Sequence, residues 1–129
     1  MSLSDYAYRG TEGSCHFDRN KIAATVKSYN DVSPSEDALK RAVAENGPVS
    51  VAVDAEPSMQ NYNGGIYSGD DCSYGGSKVN HAVLVVGYTS TYWIVKNSWG
   101  IGWGESGYIR MEMGKNICSI NCCGEYPIS

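Results

Sequence analysis

Val79-Asn80-His81-Ala82-Val83-Leu84-Val85-Val86-Gly87-Tyr88, followed after Thr89-Ser90-Thr91 by Tyr92-Trp93-Ile94-Val95-Lys96, is the stretch that decides the fold. The first run has the continuous apolar middle of a centrally buried strand. The link is short enough to turn the chain straight back, so the two runs are expected to pair as antiparallel strands. Upstream, Val49-Ser50-Val51-Ala52-Val53-Asp54 alternates as a further strand with Val49, Val51 and Val53 on one face and Ala52 on the other. Downstream, Tyr108 to Met113 alternates in the same way.

The remaining segments are weaker in strand signal. Ile22 to Tyr29 carries loosely alternating β-branched residues and reads as one strand, and Ile66-Tyr67-Ser68 as another before the Gly-rich loop 69 to 77. One long helix is expected. Ser33-Pro34-Ser35-Glu36 has the form of a capping box, with Ser33 as N-cap, Pro34 at the first helical position and Glu36 reaching back. Leu39, Ala42 and Val43 supply its apolar face, and Asn46-Gly47-Pro48 stops it, because Gly accepts a left-handed turn and Pro cannot continue the helix. Glu56 to Tyr62 fits a single helical turn. The sum is a mainly β chain, a small antiparallel β-barrel with one peripheral helix, with 1–129 read as a single domain. No internal repeat or linker divides it.

Composition narrows the function. The 129 residues carry a net charge of −4, and the few Lys and Arg form no run, which argues against nucleic acid as a partner. The longest apolar stretch, Ala82 to Val86, is far below the ~20 residues of a spanning helix, so no membrane role is expected. Met1-Ser2-Leu3-Ser4 has no signal-peptide core. Five Cys show no CxxC pair and stand beside only two His, so neither a metal site nor another cofactor is expected. A disulfide framework fits better, with at least one Cys unpaired or pairing outside the chain.

Of the two His, His16 lies in a polar, turn-rich stretch, whereas His81 begins the buried strand beside Asn80. If the hairpin pairs as above, the end of its second strand returns beside the start of its first and brings the Asn97 amide near the His81 ring. An amide oxygen accepting from one ring nitrogen would fix tautomer and orientation and leave the other nitrogen to exchange a proton with a nucleophile. Trp99 is placed to shield that bond from water.

Tyr6-Ala7-Tyr8, Gly47-Pro48-Val49-Ser50-Val51-Ala52, Gly64-Gly65-Ile66-Tyr67, Asn80-His81-Ala82-Val83 through Val86-Gly87-Tyr88, Tyr92-Trp93-Ile94-Val95-Lys96-Asn97-Ser98-Trp99-Gly100 and Gly102-Trp103-Gly104 occur in this order. The series resembles the C-terminal half of papain-like cysteine peptidases, in particular cathepsin L-like enzymes, over nearly the whole chain. The resemblance implies the β-barrel lobe of a two-lobed endopeptidase, contributing the His and Asn of a Cys-His-Asn set as His81 and Asn97. It implies Trp99 as active-site support and a disulfide between Cys72 and Cys118. It implies a substrate pocket near Ala52, Val79, Asn80, Ala82 and Cys123, suited to a bulky apolar side chain. Asn80 departs from the family, many members of which have Asp beside the His.

The nucleophile signature C-G-[SA]-C-[WY] is absent from these residues. Gly13-Ser14-Cys15 is followed by His16-Phe17-Asp18 and lies too close to His81, so Cys15 resembles instead the family cysteine that bridges to the other lobe. The expectation is therefore that the chain alone does not hydrolyse peptides and that its partners are an N-terminal Cys-bearing lobe or chain and peptide or protein substrates. Self-association through the exposed lobe face, or a non-catalytic binding or regulatory module on the same fold, are the alternatives. Met1-Ser2-Leu3 does not resemble the family and reads as residues added by cloning, and a processed two-chain enzyme is the other route to such a chain. Disulfides and resemblance together favour a secreted or lysosomal location.

Overall fold

The computed structural model describes all 129 residues. The chain falls into two compact units, Met1–Tyr29 with Pro127–Ser129, and Asn30–Tyr126. The first unit is largely irregular, with one 3₁₀ turn at Arg19–Lys21 whose first N–H groups are capped by Asp18 accepting from Asn20 N. The second contains the core and every candidate site residue.

The elements in chain order are β1 (Ser28–Val32), α1 (Glu36–Asn46), β2 (Val49–Val53), α2 (Pro57–Gln60), β3 (Ile66–Tyr67), β4 (His81–Tyr88), β5 (Tyr92–Lys96), β6 (Tyr108–Glu112) and β7 (Gly124–Ile128). The seven strands form one sheet in the order β1-β7-β2-β4-β5-β6-β3. The mainly β fold with one long helix is therefore as expected. The β4–β5 hairpin pairs antiparallel, with Val85 opposite Val95 and Tyr88 opposite Trp93, and a bulge lies between Val85 and Gly87. One pairing departs from the antiparallel pattern: β3 runs parallel to β6.

The core forms where the alternation predicts it. Val49, Val51 and Val53 are buried and join Val83, Val85, Trp93, Val95, Ile109 and Met111. On β4 the apolar run divides between two faces, with Val83 and Val85 buried and Leu84 and Val86 half-buried. The helix α1 lays Leu39, Ala42 and Val43 onto β2 and β4. It ends at Gly47, whose φ of 89° lies where a side chain would be strained and whose N–H donates to the Val43 carbonyl. The Cys72–Cys118 disulfide closes a 46-residue separation within this core.

Three local readings change. The strand at Ile22 to Tyr29 begins only at Ser28, and Ile22 and Val26 are exposed, because β-branched residues without a partner ladder do not make a strand. The helix starts two residues late: Ser35, not Ser33, is the N-cap and accepts from Ala38 N at 3.1 Å. Glu36 does not reach back to close a capping box; its Oε1 accepts from Trp93 Nε1 at 3.3 Å and its Oε2 from Gly114 N at 2.7 Å. A buried indole N–H needs an acceptor, and that need outweighs the local cap. The third change is β7, which pairs with β2 at Ser50–Glu125 and Val51–Gly124 in a stretch, Gly-Glu-Tyr-Pro-Ile, with no strand-like alternation.

Candidate active site

His81 opens β4, opposite Val53 of β2, and Asn97 follows β5 directly after Lys96, which pairs with Leu84. The hairpin thus returns Asn97 to the start of β4. The His81 Nε2 and Asn97 Oδ1 atoms lie 2.8 Å apart. The same Oδ1 accepts from the Ser98 backbone N–H at 2.7 Å. A backbone N–H can only donate, so the atom facing it is the amide oxygen, and His81 Nε2 must in turn carry the hydrogen. In the neutral ring this leaves Nδ1 as the acceptor. Asn97 is 8% exposed and its Nδ2 has no partner, so the amide is held through its oxygen.

The indole of Trp99 covers this pair. Its ring stacks on His81 with centroids 4.7 Å apart and an interplanar angle of 23°. Behind it stands Trp103, edge-on at 5.0 Å, whose Nε1–H is shared between the carbonyls of Met59 and Gln60 at 3.2 and 3.1 Å. These carbonyls belong to α2, so the short helix anchors the aromatic stack over the imidazole. Trp103 packs on Tyr62, whose hydroxyl donates to Gly65 O at 2.6 Å and whose ionisation is pushed up chiefly by burial. Glu105 ties the end of this loop to β6: Arg110 Nε and Nη2 bind its carboxylate, with 2.6 Å for Nη2 to Oε1. That hydrogen bonding holds the Glu105 carboxyl below the usual range.

The other residues anticipated at the site divide. Ala52 and Ala82 face each other across β2 and β4, and the Cys123 carbonyl accepts from Ala52 N at 3.3 Å, so these three lie together. Val79 is half-buried just ahead of β4. Asn80 makes backbone contacts on both sides: its side-chain Oδ1 accepts from Ala55 N at 2.8 Å while its backbone N–H donates to Val53 O at 3.0 Å. It clamps the exit of β2 to the entry of β4 and so fixes the backbone on which His81 sits. Cys72 and Cys118 are joined, and Cys15, Cys122 and Cys123 are free. No group of three or more metal-ligating side chains is assembled.

Sequence reasoning passed over two contributors. The Ser98 N–H fixes the orientation of the Asn97 amide, and no sequence signal marks a backbone donor. Trp103 fixes Trp99, and the Trp99-Gly100-Ile101-Gly102-Trp103-Gly104 spacing was the available sign that two indoles turn toward one centre.

A group that can take a proton at Nδ1, an oriented ring and an aromatic cover are the parts a nucleophile's base requires. Comparison with known proteins identifies the family. Residues 1–128 match the family described as papain family cysteine protease. The chain is 44% identical over 128 residues to the oryzain gamma chain of Oryza sativa subsp. japonica, covering 95% of this chain and 35% of that protein. It is 43% identical over 133 residues to pro-cathepsin H of Mus musculus, covering 99% of this chain and 40% of that protein. It superimposes on digestive procathepsin L 3 from Tenebrio molitor larval midgut with a TM-score of 0.91 at 42% identity, covering 100% of this chain and 44% of that one. The chain thus spans well under half the length of these relatives. By sequence, by fold and by the match along nearly its whole length, the chain belongs to the papain family of cysteine proteases.

Proposed function

We propose that residues 1–129 act as the C-terminal lobe of a cysteine endopeptidase, with His81 as general acid and base and Asn97 as its orienter. The thiol comes from a Cys-bearing N-terminal lobe or chain. The observation that carries this reading is the 2.8 Å contact of His81 Nε2 with Asn97 Oδ1 beneath the Trp99 ring. His81 Nδ1 takes the thiol proton, and the thiolate attacks the peptide carbonyl. The imidazolium then returns the proton to the departing amine, and in the second half-reaction the ring accepts a proton from water as it attacks the thioester. Asn97 holds the ring on one axis through both transfers, and Trp99 keeps water from its Nε2–H. Ala52, Val79, Ala82 and Cys123 line the pocket for an apolar substrate side chain, with no acidic group among them. The disulfide suits a secreted or lysosomal setting.

On this reading the chain alone is inactive, because none of its five Cys stands in the nucleophile signature. The test is hydrolysis of a fluorogenic dipeptide amide by the chain alone and after co-refolding with the Cys-bearing lobe of pro-cathepsin H. Thiol-dependent turnover in the mixture, lost in His81→Ala, is the expected result. Turnover by the chain alone, abolished by replacing one of its own Cys, contradicts it.

A further inference from the structure

Two of the three free thiols are neighbours in sequence, Cys122 and Cys123, and the backbone holds them as a pair. Cys122 N–H donates to Ser119 O at 2.9 Å, and Cys123 O accepts from Ala52 N at 3.3 Å. The Cys122 sulfur lies 4.0 Å from the Ala52 carbonyl oxygen, so both cysteines lie against the same residue of β2. On the other side Gly76 leaves the room: a Cβ there would come within 3.1 Å of Cys122 Cβ. Gly76 is itself fixed by its N–H donating to Ser119 Oγ at 2.9 Å. Cys123 is exposed and Cys122 half-buried, so Cys123 is the sulfur more open to a reagent. The remaining thiol, Cys15, belongs to the other unit, and Cys72 and Cys118 are consumed by their disulfide.

We propose that Cys122 and Cys123 form a dithiol site that binds a soft, thiophilic, trivalent centre through both sulfurs, with trivalent organoarsenicals as the ligand class. An arylarsonous acid carries two hydroxyl groups on arsenic. Each As–O bond is replaced by an As–S bond, and each thiol proton leaves with a hydroxyl as water, so no oxidant or reductant takes part. Burial, with the neighbouring Cys123 thiol, pushes Cys122 up to about 11, so its sulfur is protonated at neutral pH and supplies the proton that this exchange consumes. The site stands whether or not the peptidase reading holds.

The test is intact mass and peptide mapping of the full chain, its Cys72–Cys118 disulfide intact, after exposure to phenylarsonous acid. One phenylarsenic group per chain is expected, mapped to the peptide holding both residues, stable to excess glutathione and removed by a dithiol. Cys122→Ser and Cys123→Ser should each weaken retention at least tenfold, while Cys15→Ser leaves it unchanged. Circular dichroism on each variant separates loss of the site from loss of the fold, and Cys123→Ser, at an exposed position, is the variant least able to disturb packing. Retention unchanged in Cys123→Ser, or an adduct mapped to Cys15, overturns the proposal.

Discussion

Replacing Gly104 by Ala probes the loop that holds the aromatic cover over His81. Gly104 has φ +55°, and an added Cβ would lie 2.6 Å from the Tyr108 carbonyl oxygen and 3.0 Å from Tyr62 Cδ1. That carbonyl cannot simply retreat, because it accepts from Glu105 N at 2.9 Å and closes the turn into β6. The left-handed backbone costs a non-glycine residue about 1 kcal/mol, and overpacking against a fixed neighbour a further 1 to 3 kcal/mol, roughly. The expected destabilisation is about 2 to 4 kcal/mol, which at the urea m-value of a small domain lowers the midpoint by about 1 to 2 M. Gly102→Ala is the matched control. Its added Cβ meets nothing within 4 Å and its φ is not left-handed, so its midpoint should move by less than about 0.5 kcal/mol equivalent. Because Trp103 precedes Gly104 and packs edge-on against Trp99, the His81 ring protons, shifted by the stacked indole, should also move in Gly104→Ala and stay put in Gly102→Ala. Equal urea midpoints for the two variants would refute the reasoning.

Removing the disulfide by Cys72→Ser with Cys118→Ser should cost about 4 kcal/mol from the entropy of a loop closed at separation 46, read as a lower denaturation midpoint under non-reducing conditions. Glu105 has a folded-state pKa below its unfolded one, through hydrogen bonding to Arg110, so its contribution is present above the ordinary Glu value of about 4.3 and is lost as pH falls through the lower folded value. Both side chains are about one-third exposed, so the effect is small, and Glu105→Gln should lower the melting temperature slightly near neutrality, leave it unchanged in strong acid, and so flatten its acid limb against pH.

The sheet was legible wherever burial is one-sided. Val49, Val51 and Val53 alternate because one face of β2 meets the core, and the hairpin link at Thr89-Ser90-Thr91 sets β4 against β5. From that pairing alone the meeting of His81 with Asn97 could be anticipated. What could not be read is what depends on distant partners. Glu36 is drawn from its own helix start to Trp93 and Gly114, and no local pattern contains that preference. Strand β7 exists because β2 offers it an edge, not because Gly124 to Ile128 alternates. Ile22 and Val26 show the converse, strand-like residues with no strand to join. The Asn80 amide also bonds the Ala55 backbone N–H, a contact that no local pattern announces, since an amide side chain beside two strand ends readily finds backbone groups.

The most direct test of the central claim is the tautomer of His81, read from its ring nitrogen shifts by ¹⁵N NMR at a pH where the imidazole is neutral. The geometry predicts the hydrogen on Nε2, facing Asn97 Oδ1, with Nδ1 bare and free to accept a proton, and it predicts that this preference fades in Asn97→Ala. A hydrogen on Nδ1 in the unmodified chain, or a tautomer indifferent to the loss of Asn97, would contradict the assignment of His81 as an oriented base.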